Sequence, residues 1–152
     1  KTQRAQAQRS SHHPVREGKM GCVNCHNPHD GSRPKMLQAD TVNELCYKCH
    51  TEKRGPFLFE HAAVREDCTS CHAPHGSNHE RLLVAKTPFL CQKCHFSGHG
   101  ITADNASSLE GLPVAPPGST ATRSSRNTER GCKNCHLAIH GSNSPSGAYF
   151  IR

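Results

Sequence analysis

The chain of 152 residues has no tryptophan, and its isoleucine, leucine, valine and phenylalanine together number 23, about 15% of the sequence. That share lies below the roughly 20% that usually marks disorder. A polypeptide so poor in large apolar side chains cannot offset its ordering entropy by burying its own residues, which excludes an ordinary protein core. No apolar run approaches the roughly 18 residues that a membrane-spanning helix needs. The formal charge is +7, but the basic residues are scattered. There is no RNA-binding signature and no aromatic stacking platform, which sets nucleic acid aside as a partner. No signal peptide opens the sequence, so the start, Lys-Thr-Gln-Arg-Ala-Gln-Ala-Gln-Arg, reads as a processed or truncated N-terminus. Nor is any cysteine left outside one recurring motif.

That motif is Cys22-Val23-Asn24-Cys25-His26, repeated as Cys46–His50, Cys68–His72, Cys91–His95 and Cys132–His136. Cys-X-X-Cys-His is the attachment signal of c-type haem. The thiols pair as Cys22 with Cys25, Cys46 with Cys49, Cys68 with Cys71, Cys91 with Cys94 and Cys132 with Cys135. Each thiol adds to one porphyrin vinyl, and the two-residue gap spans the distance between the vinyls. The adjacent histidine, His26, His50, His72, His95 or His136, then meets the iron as proximal ligand. Structural zinc and disulfides also use paired cysteines. Neither explains a histidine after the second cysteine in five cases of five. Five covalently bound haem c groups are therefore expected, and their porphyrin faces supply the missing apolar surface. A bis-histidine ferric haem with two propionates carries about one net negative charge, so five of them offset most of the basic excess.

Along the chain, residues 1–11 are polar and read as an extended arm. A two-haem unit follows over residues 12–50, and a second over 61–95, giving an internal repeat of about 46 residues. His12-His13-Pro14-Val15-Arg16-Glu17 returns as His61-Ala62-Ala63-Val64-Arg65-Glu66, and Asn27-Pro28-His29-Asp30-Gly31-Ser32 returns as Ala73-Pro74-His75-Gly76-Ser77 with Asp30 inserted. Residues 96–131, with Gly111-Leu-Pro-Val-Ala-Pro-Pro-Gly-Ser119, carry loop chemistry and read as a crossing segment. The last haem motif and a tail fill 132–152. The expected fold is mostly irregular, with short α-helices and almost no β structure, wrapped around a linear haem chain as one pentahaem domain.

Eight histidines remain once the five proximal ones are set aside. The second axial ligand decides what a haem iron does. Repeat position selects His12 with His61 and His29 with His75 as distal candidates, while His99 and His140 compete for the fifth iron. A histidine three residues beyond a proximal one cannot easily fold back onto the same iron, so His29 and His75 are expected to cap neighbouring haems. His13 and His79 lack counterparts and are expected to face solvent. Met20 and Met36 do not recur in the second unit, so packing suits them better than iron.

The order His-X-X-Val-Arg-Glu, Cys-X-X-Cys-His-X-Pro-His-Gly-Ser, Leu-Leu, Leu-Cys-X-X-Cys-His resembles the doubled repeat of multihaem cytochromes. The ending Gly131-Cys-Lys-Asn-Cys-His-Leu-Ala-Ile-His140-Gly-Ser-Asn, then Pro145-Ser-Gly147 and Phe150, is similar to the end of the MtrA/DmsE-type decahaem cytochromes. That resemblance implies an outer-membrane electron conduit, a row of bis-histidine haems threaded into a β-barrel porin and passing electrons between periplasm and exterior. This chain has five motifs where that family has ten. It reads as half of such a protein, a pentahaem relative, or a module that stacks with copies of itself. The expected role is electron transfer between redox protein partners, in the periplasm, at the outer membrane or outside the cell. The alternatives are a subunit of an extracellular cytochrome filament and, less favoured, a multihaem nitrogen-compound oxidoreductase. Catalysis needs an open iron position, and at least six placed histidines stand against five vacancies.

Overall fold

A computed structural model describes residues 2–95, 132–145 and 147–150. Regular structure there amounts to four short helices, α1 (Thr2–Gln6), α2 (Val42–Tyr47), α3 (Ala62–Glu66) and α4 (Phe89–Gln92), joined by single 3₁₀ turns and loops. Among the described residues there is no strand. Antiparallel contact is limited to isolated bridges joining Ser11 to Ser77, His26 to Leu37, Phe59 to Ser142 and His72 to Leu83. The fold is mostly loop with short helices, as the composition requires. The crossing segment expected over residues 96–131 lies outside the described residues.

All five motif copies close in the same way. The carbonyl of the first cysteine accepts the N–H of the second cysteine at 3.2–3.3 Å and that of the histidine at 2.9–3.0 Å. One turn of backbone therefore gathers two thiols and an imidazole, because residues three and four apart share a face. In copies one, three and five that turn is 3₁₀, over Cys22–Asn24, Cys68–Ser70 and Cys132–Asn134. In copies two and four it falls at the ends of α2 and α4. Helix α2 starts on a capping box: the Thr41 hydroxyl accepts the Glu44 N–H at 3.1 Å, and the Glu44 carboxylate accepts the Thr41 N–H at 3.3 Å.

After copies one and three the chain makes the same excursion. The N–H of Asn27 donates to the Met36 carbonyl at 2.8 Å, and that of Ala73 to the Leu82 carbonyl at 2.6 Å. Gln38 and Val84 then donate back to the carbonyls of Cys25 and Cys71. Each excursion turns on two side-chain-bearing residues in the left-handed region, Lys35 and Met36 at φ 57° and 54°, Arg81 and Leu82 at φ 57° and 59°. Such residues pay a steric cost of about 1–3 kcal/mol and persist where the surroundings over-determine them.

The interior is the reverse of a globular one. Among the described residues no hydrophobic side chain is buried, while Leu58, Phe89 and Val23 are 78%, 66% and 60% exposed. The buried residues with polar side chains are Asn43, Ser77 and Ser142, and each joins segments distant in sequence. Asn43 donates to the carbonyls of Val64 and Arg65, both at 3.0 Å, and accepts the Cys68 N–H at 2.8 Å, tying α2 to α3 and to motif three. Ser77 exchanges backbone bonds with Ser11, and Ser142 with Phe59. The glycines before these serines are needed for the approach. Gly76 has φ 139°, and a methyl there would strike the Gln6 carbonyl; Gly141 has φ 145°, and a methyl there would strike the Phe57 ring.

Candidate haem-binding sites

Four of the five proximal histidines face a second histidine. His26 stands opposite His75 with ring centroids 6.1 Å apart, His72 opposite His140 at 6.1 Å, and His95 opposite His61 at 6.0 Å. In these three pairs the ring planes are inclined by only 11°, 16° and 19°. His50 stands opposite His13 at 6.3 Å with planes tilted by 51°. Two imidazoles bound trans to one metal are separated by two bonds of about 2.0–2.1 Å plus about 1.1 Å from each nitrogen to its ring centre, or about 6.2 Å in all. The four observed separations bracket that value.

A porphyrin brings four nitrogens of its own and asks the protein for two, so paired imidazoles fit it. Structural zinc asks for four protein donors. Among the described residues no three or more histidine, cysteine or acidic side chains gather as a metal-holding group. All ten cysteines are free thiols, available for thioether formation.

Backbone carbonyls set the orientation of the imidazoles. The Nδ1–H of His26 donates to the Lys35 carbonyl at 2.8 Å, that of His72 to Arg81 at 2.8 Å and that of His136 to Tyr149 at 2.6 Å. On the distal side the His13 Nδ1–H donates to the Pro74 carbonyl at 2.8 Å. A carbonyl only accepts, so Nδ1 carries the proton and Nε2 is left with a lone pair for iron. The strained turns thus have a use: Lys35 and Arg81 are left-handed residues, and Phe150, just after Tyr149, has φ 53°. Nothing in the sequence pointed to these carbonyls.

The other histidines sort by their partners. His12 commits both ring nitrogens, Nδ1 to the Arg9 carbonyl at 2.6 Å and Nε2 to the Glu17 carboxylate at 3.1 Å. The hydrogen bond to Glu17 holds its pKa above the ordinary 6.5 and so favours the protonated form, which binds no metal. The ring set against His50 is that of His13, where the sequence pointed to His12. Residues leaving the Ser11 bridge point to alternate sides, so only one of two adjacent histidines turns inward. The expectation that His13 faces solvent gives way to a half-buried ring held by Pro74 and set against His50.

His61, His75 and His140 are pushed the opposite way, below 6.5, first by burial and then by neighbouring cationic groups. That direction favours the neutral imidazole, the form that offers a lone pair. His140 stands at the third motif, opposite His72, and not at the fifth, because the Phe59–Ser142 bridge draws its loop back toward unit two. His29 is exposed, and no proximal ring faces it among the described residues. His79 is half-exposed, with its backbone N–H on the Ser77 hydroxyl. His99 lies outside the described residues.

The thiols give the order of the sites. The Cys25 thiol lies by Cys49, Cys46 donates to Cys68, Cys71 lies by Cys94, and Cys91 is within hydrogen-bond reach of Cys132. Burial and the adjoining thiol push Cys46 up to about 12 and Cys91 to about 11. The motifs therefore follow one another from one to five. The main contacts alternate between second cysteines and first cysteines, and Cys22 and Cys135, exposed like Cys49 and Cys94, are left outside that pairing.

Comparison with known proteins agrees with this geometry. The family described as "Doubled CXXCH motif" matches residues 12–55 and 61–99. The chain is 45% identical over 151 residues to the multiheme cytochrome MtrA of Shewanella baltica (strain OS185), covering 99% of this chain and 43% of that protein. It thus spans less than half the length of that relative. No helix among the described residues is long and apolar enough to cross a membrane. Repeated thioether motifs, opposed imidazoles and the family match lead to one assignment: the chain belongs to the doubled-CXXCH family of multihaem c-type cytochromes, which carry haem covalently and transfer electrons.

Proposed function

We propose that the chain is a five-haem electron wire connecting periplasmic redox partners with acceptors at the outer membrane or beyond it. The observation that carries the reading is the set of four opposed imidazole pairs strung in one order by neighbouring thiols. When bound, each haem supplies a one-electron iron couple. The residues do the rest. His26 with His75, His50 with His13, His72 with His140 and His95 with His61 would hold four of the haems from both sides and leave those irons no open site for a substrate. His136 would hold the fifth haem, with His99 as its proposed partner. Exposed His29 and Cys22 mark the end at which another haem carrier docks, either a longer conduit inside a β-barrel porin or a second copy.

Mass spectrometry of the denatured chain is expected to show the added mass of five haems. The ferric protein is expected to be low-spin and to bind no cyanide. Fewer haems, or a cyanide-binding high-spin fraction, would remove the wire reading and restore an enzymatic one. Fractionation of cells producing the protein should place it with periplasmic or outer-membrane material.

A further inference from the structure

The five sites differ in the hydrogen bonds behind their axial imidazoles. The first has the His26 Nδ1 on Lys35, the second has the His13 Nδ1 on Pro74, the third has the His72 Nδ1 on Arg81, and the fifth has the His136 Nδ1 on Tyr149. The fourth has none. His95 is exposed and has no acceptor among the described residues. The Nδ1 of His61 is buried and has no hydrogen-bond partner among the described residues. An apolar ring packs against this imidazole: Phe150 and His61 meet edge to face with centroids 5.6 Å apart.

An acceptor on Nδ1–H pushes electron density through the imidazole onto the metal, and burial in apolar surroundings disfavours added positive charge. Both effects stabilise ferric iron less where the acceptor is missing. We infer that the fourth haem has the highest reduction potential of the five and is where the last electrons rest, with Phe150 as the positioning residue that seals His61 from any acceptor. This rests on the reading of His61 and His95 as the axial pair. Phe150 also follows the residue whose carbonyl orients His136, so one short segment sets the ligands of both the fourth and fifth sites.

The test uses the five-haem protein in a spectroelectrochemical titration, with electron paramagnetic resonance of the ferric form. His61→Ala is expected to convert one haem of five to high spin and to displace the one-electron step of highest potential. If all haems stay low-spin, His61 is not a ligand, and the ligand reading fails. If one haem becomes high-spin but a step other than the highest moves, the ligand reading stands and the ranking is overturned. Phe150→Gln places an amide acceptor beside the buried nitrogen, and is expected to lower the highest step alone and shift one low-spin signal. Phe150→Leu keeps the seal apolar and is expected to leave that step in place. A shift of equal size in both variants, or none in Phe150→Gln, would overturn the role given to Phe150.

Discussion

Adjacent histidines at positions 12 and 13 differ in one respect that chemistry cares about, the partner of the second ring nitrogen. His12 spends both nitrogens on Arg9 and Glu17, whereas His13 anchors Nδ1 on Pro74 and turns Nε2 toward His50. His13→Ala is therefore expected to convert one haem to a high-spin, cyanide-binding form, while His12→Ala leaves the low-spin spectrum intact. The opposite result would restore His12 as the ligand. His29→Ala is expected to change nothing in the isolated chain, and high-spin haem in that variant would show that His29 serves an iron within it.

Short elements joined by single polar residues make the connections between motifs fragile at identifiable points. Asn43 makes three hydrogen bonds from α2 to α3 and motif three. Asn43→Ala leaves those backbone groups unpaired, and thermal unfolding of the haem-loaded protein should show a loss of roughly 2–4 kcal/mol. A loss within a few tenths would mean that water replaces the amide without penalty. The repeat, the thioether motifs and the scarcity of strand were legible in the sequence because each depends on local spacing. The turns that aim carbonyls at His26 and His72 were not legible. Left-handed positions are usually recognised by glycine or asparagine, and here Lys35, Met36, Arg81 and Leu82 occupy them. Asn43 gave no signal either, since its partners lie more than twenty residues away. The choice of His13 over His12, and of His72 as the partner of His140, depends on bridges between distant serines and phenylalanine that no periodicity announces.

At the scale of the whole molecule, the porphyrins must be the core, since no described hydrophobic side chain is buried. Chain produced without haem attachment is expected to show no cooperative thermal transition and a circular dichroism spectrum of disordered chain. A cooperative transition in that material would mean that the polypeptide packs by itself. The alternation of thiol contacts reaches further, because it is a matter of parity. Inside the chain second cysteines meet second, then first meet first, and an odd number of motifs ends with Cys22 free at one side and Cys135 at the other. The two termini of the wire are consequently of different kinds, and the chain has a heading. Copies laid head to tail would set Cys135 against Cys22, a junction that differs from the main thiol pairings within and resembles only the weaker approaches of Cys46 to Cys25 and of Cys91 to Cys71. Copies meeting at like ends would repeat an interior junction about a two-fold axis, closing as a pair whose two headings cancel.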